Sequence, residues 1–192
     1  MVKVLVVAAL CSVCATQAAV GALFEETPVE FANRFYRAYG TLRVRGIPNE
    51  RQRHALAPFL SPELLGLCAR TDRWQHAAGN GIPPEPKRPG LRSTDGEGDL
   101  FTSNSAGCAV TYAIAFPRPA MGRLILPIRL ADPDSGDAWV DELVLHRGAG
   151  GWVIADIIFT HDRQNRLFGR GSLRRALGEC LRRTQRHGSP GG

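Results

Sequence analysis

The sequence predicts an α+β fold, with helices in the front half packed on a strongly curved antiparallel β-sheet in the back half, followed by a C-terminal helix. Three observations carry this. Apolar residues recur at helical spacing from Phe31 to Leu42. Runs of alternating and β-branched apolar residues occupy 108–160, separated by Gly- and Asp-rich turns. A second amphipathic stripe, Leu173, Ala176, Leu177, Cys180 and Leu181, closes the chain.

The front half starts with a signature helix entry. Thr27 can cap, Pro28 fits the first turn, and Glu30 can reach back to complete a capping box. Phe31, Phe35, Ala38 and Leu42 then share one face, flanked by Tyr36 and Tyr39, until Gly46-Ile47-Pro48 breaks the helix. A short helix is expected over 50–57. A third follows Ser61-Pro62-Glu63, with Leu64, Leu65, Cys68 and Trp74 able to face inward. Residues 79–98 are rich in Gly and Pro and read as a long loop between the helical and sheet halves. Asp99–Ser103 leads into the sheet. Strands are expected at 108–116, 123–130, 138–146 and 151–160, with hairpin turns at 132–136 and 148–151. A final helix is expected near 172–183, with a disordered tail after Gln185.

The 192 residues suit one domain, and their apolar fraction is ordinary for a folded protein. The net charge is +6 and is carried almost wholly by arginine, with lysine only at Lys3 and Lys87. Lys3, the apolar run Val4–Leu10 and the small residues up to Ala22 match a secretion signal over 1–22, which predicts a periplasmic or secreted protein. Because the uncharged stretch continues to Phe24, a retained membrane anchor is the alternative. Lipidation is disfavoured, since Leu10 and Val13 precede Cys11 and Cys14. The remainder divides into an α+β body over 23–165 and a basic helix with its tail over 166–192. Cys68, Cys108 and Cys180 would remain after cleavage. They fit either small buried hydrophobes or one disulfide with one thiol left over.

The chemistry rests on carboxylates. Strand 151–159 is apolar on both faces except at Asp156, and Asp141 interrupts the preceding apolar strand. A buried charge is costly unless it is paired. A hairpin pairing Arg147 with Trp152 would set Leu143 opposite Asp156 and Asp141 opposite Ile158. Asp141 and Asp156 would then be diagonal neighbours on one face. Two carboxylates in an enclosed apolar site could do acid–base work. They could equally accept hydrogen bonds from loop amides or from Arg34, Arg37, Arg123 or Arg129.

The motifs FANRFYRAY (Phe31–Tyr39), LAPFLSPEL (Leu56–Leu64), DLFTS (Asp99–Ser103), WVDELVL (Trp139–Leu145) and GWVIADIIF (Gly151–Phe159) occur in an order and spacing that resembles the cone fold of the nuclear transport factor two-like superfamily. More closely, they resemble an exported domain-of-unknown-function branch of bacterial envelope proteins. The resemblance implies a pocket between the curved sheet and the helices, with Tyr36, Asp99, Tyr112, Trp139, Asp141, Trp152 and Asp156 as candidate lining residues. It implies no reaction, because cones of this kind include isomerases, dehydratases and pure binding domains.

Other chemistries lack support in the sequence. The histidines His54, His76, His146, His161 and His187 form no ligand pair, so no metal is expected. Ser61 and Ser103 lack a nucleophile-elbow context, and no phosphate-cradling glycine motif or other cofactor signature occurs. The tail arginines, Arg174, Arg175, Arg182 and Arg183 among them, could meet anionic lipid, although the same pattern fits a solvated helix face. An exported chain makes nucleic acid an unsuitable partner. Three functions therefore stand. The first is a non-enzymatic envelope protein that binds a small molecule or protein partner in its pocket. The second is an acid–base enzyme using Asp141 and Asp156. The third is a protein held to an anionic surface by its arginine helix.

Overall fold

The structure is a computed structural model that describes residues 25–78, 99–103, 110–160 and 171–187. Helix α1 spans Pro28–Leu42 and opens with the expected capping box: the Thr27 hydroxyl accepts the Glu30 amide at 3.2 Å, and Glu30 accepts the Thr27 amide at 2.8 Å. Two orphan amides of the first turn are thereby satisfied. Arg43, at φ 45°, ends the helix in a left-handed conformation. Helix α2, Glu50–Leu56, has a second capping box from Asn49 and Gln52. Helix α3, Pro62–Ala78, is tied to α2 by the ion pair between Arg53 and Asp72 at 2.6 Å.

The sheet comprises β1 (Thr111–Ile114), β2 (Arg118–Ala120), β3 (Arg123–Ala131), β4 (Ala138–Gly148), β5 (Gly151–Phe159) and β6 (Gly171–Ser172). All pairings among these strands are antiparallel, in the order β1-β3-β4-β5-β6, with β2 continuing the β1 edge of β3. The α+β class and the order of elements agree with the reading of the sequence. Differences lie at the edges. Residues 99–103, expected only to lead into the sheet, form a turn. Arg118–Ala120 and Gly171–Ser172 are short strands that composition does not reveal. Helix α4 spans Leu173–His187 and thus runs past the expected end at Arg183. The loop 79–98, the start of the strand expected from Cys108, and the segment 1–24 lie outside the described residues.

Helices cover one face of the sheet. Phe31, Phe35, Tyr36 and Tyr39 of α1, with Phe59 and Leu64, pack on Leu126, Ile128, Leu143, Leu145, Ile154 and Ile157. Phe35 sits at the aromatic centre, with ring centroids 5.0–6.2 Å from Tyr36, Tyr39, Phe59 and Phe101. Aromatic rings of this kind bury large apolar areas. Cys68 is wholly buried within it as a thiol, and burial pushes its pKa up to about 12. A thiol in that state is a small hydrophobe and a poor nucleophile. Leu173 and Leu177 dock α4 against the same core.

The β4–β5 hairpin corrects the register expected from the sequence. Arg147 pairs with Trp152 and Leu145 with Ile154, as expected. Beyond them Val144 pairs with Asp156, Leu143 with Ile157 and Asp141 with Phe159. Ala155 is the extra residue of a β-bulge, so Ala155 and Asp156 both oppose Val144. Past the bulge every β5 side chain changes face. Ile154, Ile157 and Phe159 point into the helix-covered core, whereas Ala155 and Ile158 join Val144 and Ile125 on the other side. Asp156 therefore lies on the opposite face from Asp141. The physical reason is visible in both places. An unbulged ladder would desolvate a further carboxylate beside Asp141, whereas the bulge lets Asp156 reach the start of α4.

Candidate functional site

Asp141 is the centre of the site. It stands on β4 between Trp139 and Leu143, faces the core, and is 0% exposed. One carboxylate oxygen, Oδ2, accepts the Ser103 hydroxyl at 2.6 Å. The other, Oδ1, has no hydrogen-bond partner among the described residues. Burial raises its pKa to about 7. The Ser103 hydroxyl and the nearby Trp139 indole oppose that rise, and the charge of Asp99 adds to it. Near neutrality the carboxyl therefore exchanges its proton, which lets it accept or donate a hydrogen bond.

The turn Asp99–Ser103 supplies the second half. Asp99 Oδ1 accepts the amides of Phe101 and Thr102 at 2.9 and 3.2 Å, and also the Tyr39 hydroxyl. Burial raises the Asp99 pKa, against the Tyr39 hydroxyl and these amides. An aspartate at the head of a tight turn, holding its own downstream amides, fixes the turn without a strand. The turn in turn aims Ser103, at φ 51°, toward Asp141 and offers the Thr102 carbonyl to the Trp139 indole N–H at 3.0 Å.

Tyr36, from α1, completes the cluster. Its ring stacks on Tyr112 with centroids 4.8 Å apart, and its hydroxyl is buried without a partner. Burial, then the charges of Asp141 and Asp99, hold that hydroxyl firmly protonated. Thr102 contributes a third buried, unpartnered oxygen, Oγ1. Tyr112 and Trp139 also line an open groove of about 450 Å³ at the end of the sheet, together with Leu130 and Thr160. The buried polar cluster thus lies behind aromatic residues that face a groove.

Of the residues named from the sequence, Tyr36, Asp99, Tyr112, Trp139 and Asp141 come together here. Two do not. Trp152 sits at the hairpin end of β5, roughly 20 Å along the strands from Asp141. There its indole N–H donates to the Glu26 carbonyl at 3.0 Å, and the Arg147 guanidinium lies 3.9 Å from the centroid of its ring. Asp156 accepts the Arg174 amide and the Ile157 amide, both at 2.9 Å, and so caps α4 from the neighbouring strand. None of Arg34, Arg37, Arg123 or Arg129 is the partner of either carboxylate. Arg34 instead pairs with Glu26 at 2.7 Å. The pair of carboxylates sharing the enclosed face is Asp141 with Asp99. Ser103, Thr102 and Tyr39 were not singled out for the site, and the DLFTS segment was the signal that could have found the first two.

Among the described residues no group of three or more His, Cys, Asp or Glu side chains could hold a metal ion, and no helix is long and apolar enough to cross a membrane. On α4, Arg175 pairs with Glu179 at 2.8 Å. Fold and site together define a helix-covered antiparallel sheet whose core face carries an acidic and tyrosine-rich cluster. Comparison of the chain with family models, curated proteins and solved structures finds no match.

Proposed function

We propose that the chain is an exported, cone-type binding protein of the nuclear transport factor two-like kind, and that it holds a small molecule with a hydrogen-bonding head group against Asp141 and Tyr36. The observation that carries this reading is the set of three buried, unpartnered oxygens, on Tyr36, Thr102 and Asp141, around one carboxyl that titrates near neutrality. Buried polar atoms are nearly always satisfied, and a cluster of exceptions marks a place where another molecule or a water completes the bonding. The Tyr36 hydroxyl donates, the Asp141 carboxyl accepts or donates, and Tyr112 and Trp139 offer apolar rings on the groove side. The signal-like segment 1–22 supports export.

The test is a thermal-shift screen of a polar metabolite library against the wild type, Tyr36→Phe and Asp141→Asn. Compounds that stabilise the wild type should lose that effect in both variants. If every stabilising compound acts equally on all three proteins, the cluster is not the binding site. An acid–base reaction is the second reading, favoured by the Asp141 pKa of about 7. Its second carboxyl would be Asp99 rather than Asp156. The two readings separate on turnover, since a binding protein returns its ligand unchanged.

A further inference from the structure

We infer that the free edge of the sheet, at the β2–β3 hairpin and the bend before it, docks on an anionic lipid surface. Phe116 and Met121 are the large apolar side chains that stand exposed among the described residues, at 92% and fully so. They lie five positions apart on the same edge ribbon, Phe116 in the bend between β1 and β2 and Met121 at the tip of the β2–β3 hairpin. Scattered single apolar residues need no explanation, but these two share one edge, and a backbone device sets Met121 at its tip.

That device is the turn itself. Met121 and Gly122 have φ 43° and 73°, the left-handed pair of a two-residue hairpin turn. Asn, Asp or Gly normally fills the first of these positions, because a longer side chain there is strained. The methionine at this tip stands fully exposed to solvent. Pro117 lies in the bend and Pro119 in β2, and each fixes its own φ there.

The surroundings select the partner. Arg118, Arg123 and Arg129 are exposed on the same strands; Arg118 is paired with Glu142 at 2.7 Å, so the positive charge facing a partner comes from Arg123 and Arg129. Guanidinium groups around two projecting apolar tips match an interface where phosphate lies above acyl chain. Pairing of this edge with a strand from a second copy is the poorer fit, since Pro119 cannot donate to a new ladder. Arg129 also lines the groove beside Tyr112 and Trp139, whereas Phe116, Met121 and Arg123 lie outside it and are not on α4.

Co-sedimentation of the full chain with vesicles tests it. Binding to phosphatidylcholine mixed with phosphatidylglycerol should exceed binding to phosphatidylcholine alone and should weaken as salt rises. Phe116→Ser with Met121→Ser should lower the affinity by about tenfold or more. Arg182→Gln with Arg183→Gln on α4 should leave it unchanged. The inference fails if the wild type does not bind the mixed vesicles or does not distinguish the two lipids. It also fails if the hairpin variant binds like the wild type, or if only the α4 variant loses binding. A dimer in solution that the hairpin variant dissolves would assign the edge to a second copy instead. Phe116, Met121 and Arg182 are exposed, and unchanged thermal melting of each variant verifies that a loss reflects the surface.

Discussion

Replacing Asp141 by Asn should reverse part of the protein's pH dependence. In the unfolded chain this carboxyl titrates near 3.8, and in the folded chain near 7, because burial disfavours its charged form. Below the lower value both states carry the proton and the carboxyl brings no penalty. Between the two values only the folded state holds it, so stability falls as pH rises. Above about 7 both states have lost the proton, and the folded state carries a desolvated charge. The interval corresponds to about 4 kcal/mol. Asp141 is wholly buried, so solvent screening does not reduce this figure in the way it does for a surface pair. Asn has nearly the same shape, can still accept the Ser103 hydroxyl, and does not titrate. Chemical denaturation of both proteins between about pH 4 and about pH 8 isolates the effect, because the other titrating groups cancel in the difference. The variant should gain on the wild type by about 4 kcal/mol across that range. A stability difference that stays flat with pH would refute the raised pKa and, with it, the idea that this carboxyl changes its proton near neutrality.

Two further outcomes follow from the same geometry. Ser103→Ala removes the hydroxyl that favours the charged form, so the fall in stability that belongs to Asp141 should begin at the same pH and extend to higher pH. The same change should cost about 1 kcal/mol where the carboxyl is ionised, as read by the same denaturation series. Asp156→Ala removes the cap on α4 and should destabilise by about 1–2 kcal/mol, with faster amide exchange at Arg174 and no effect on ligands of the Asp141 cluster. Loss of ligand binding in that variant would contradict the assignment of Asp156 to a structural role.

The helical half was legible because its signals are local. Thr27-Pro28-Val29-Glu30 sets a capping box within four residues, and the Phe31–Phe35 spacing fixes the buried face of α1 without reference to anything distant. The strands were legible as elements for the same reason. Their register was not. The Arg147–Trp152 end of the hairpin follows from the turn, but a bulge four residues from the turn depends on what lies beyond both strands. Asp156 needs the first amides of α4, which come eighteen positions later in the chain, and no pattern within β5 announces that demand. The candidate site was legible by residue type, since Tyr36, Asp99, Tyr112, Trp139 and Asp141 are the polar and aromatic interruptions of buried faces. Their grouping was legible only in part. The DLFTS turn places Asp99 and Ser103 near Asp141 through tertiary contact alone.

The energetics of Asp141 bear on why it is there. A domain of this size is stable by about 5–15 kcal/mol, and an ionised Asp141 removes about 4 kcal/mol of it at neutral pH. A serine, threonine or asparagine could hold the Ser103 hydroxyl without that loss, so the packing of the core does not demand a carboxylate. The cost is not offset within the described structure either, because Oδ1 has no donor and Asp99, whose charge acts on this carboxyl, is of the same sign. What would offset it is a donor arriving from outside. A molecule that brings a hydrogen-bond donor, or a positive charge, to Oδ1 would favour the ionised carboxylate and lower its pKa. By linkage, such a ligand binds more tightly above the free-protein pKa than below it, whereas a ligand that accepts from the protonated carboxyl shows the opposite dependence. The sign of that pH dependence therefore reports which kind of head group the site holds.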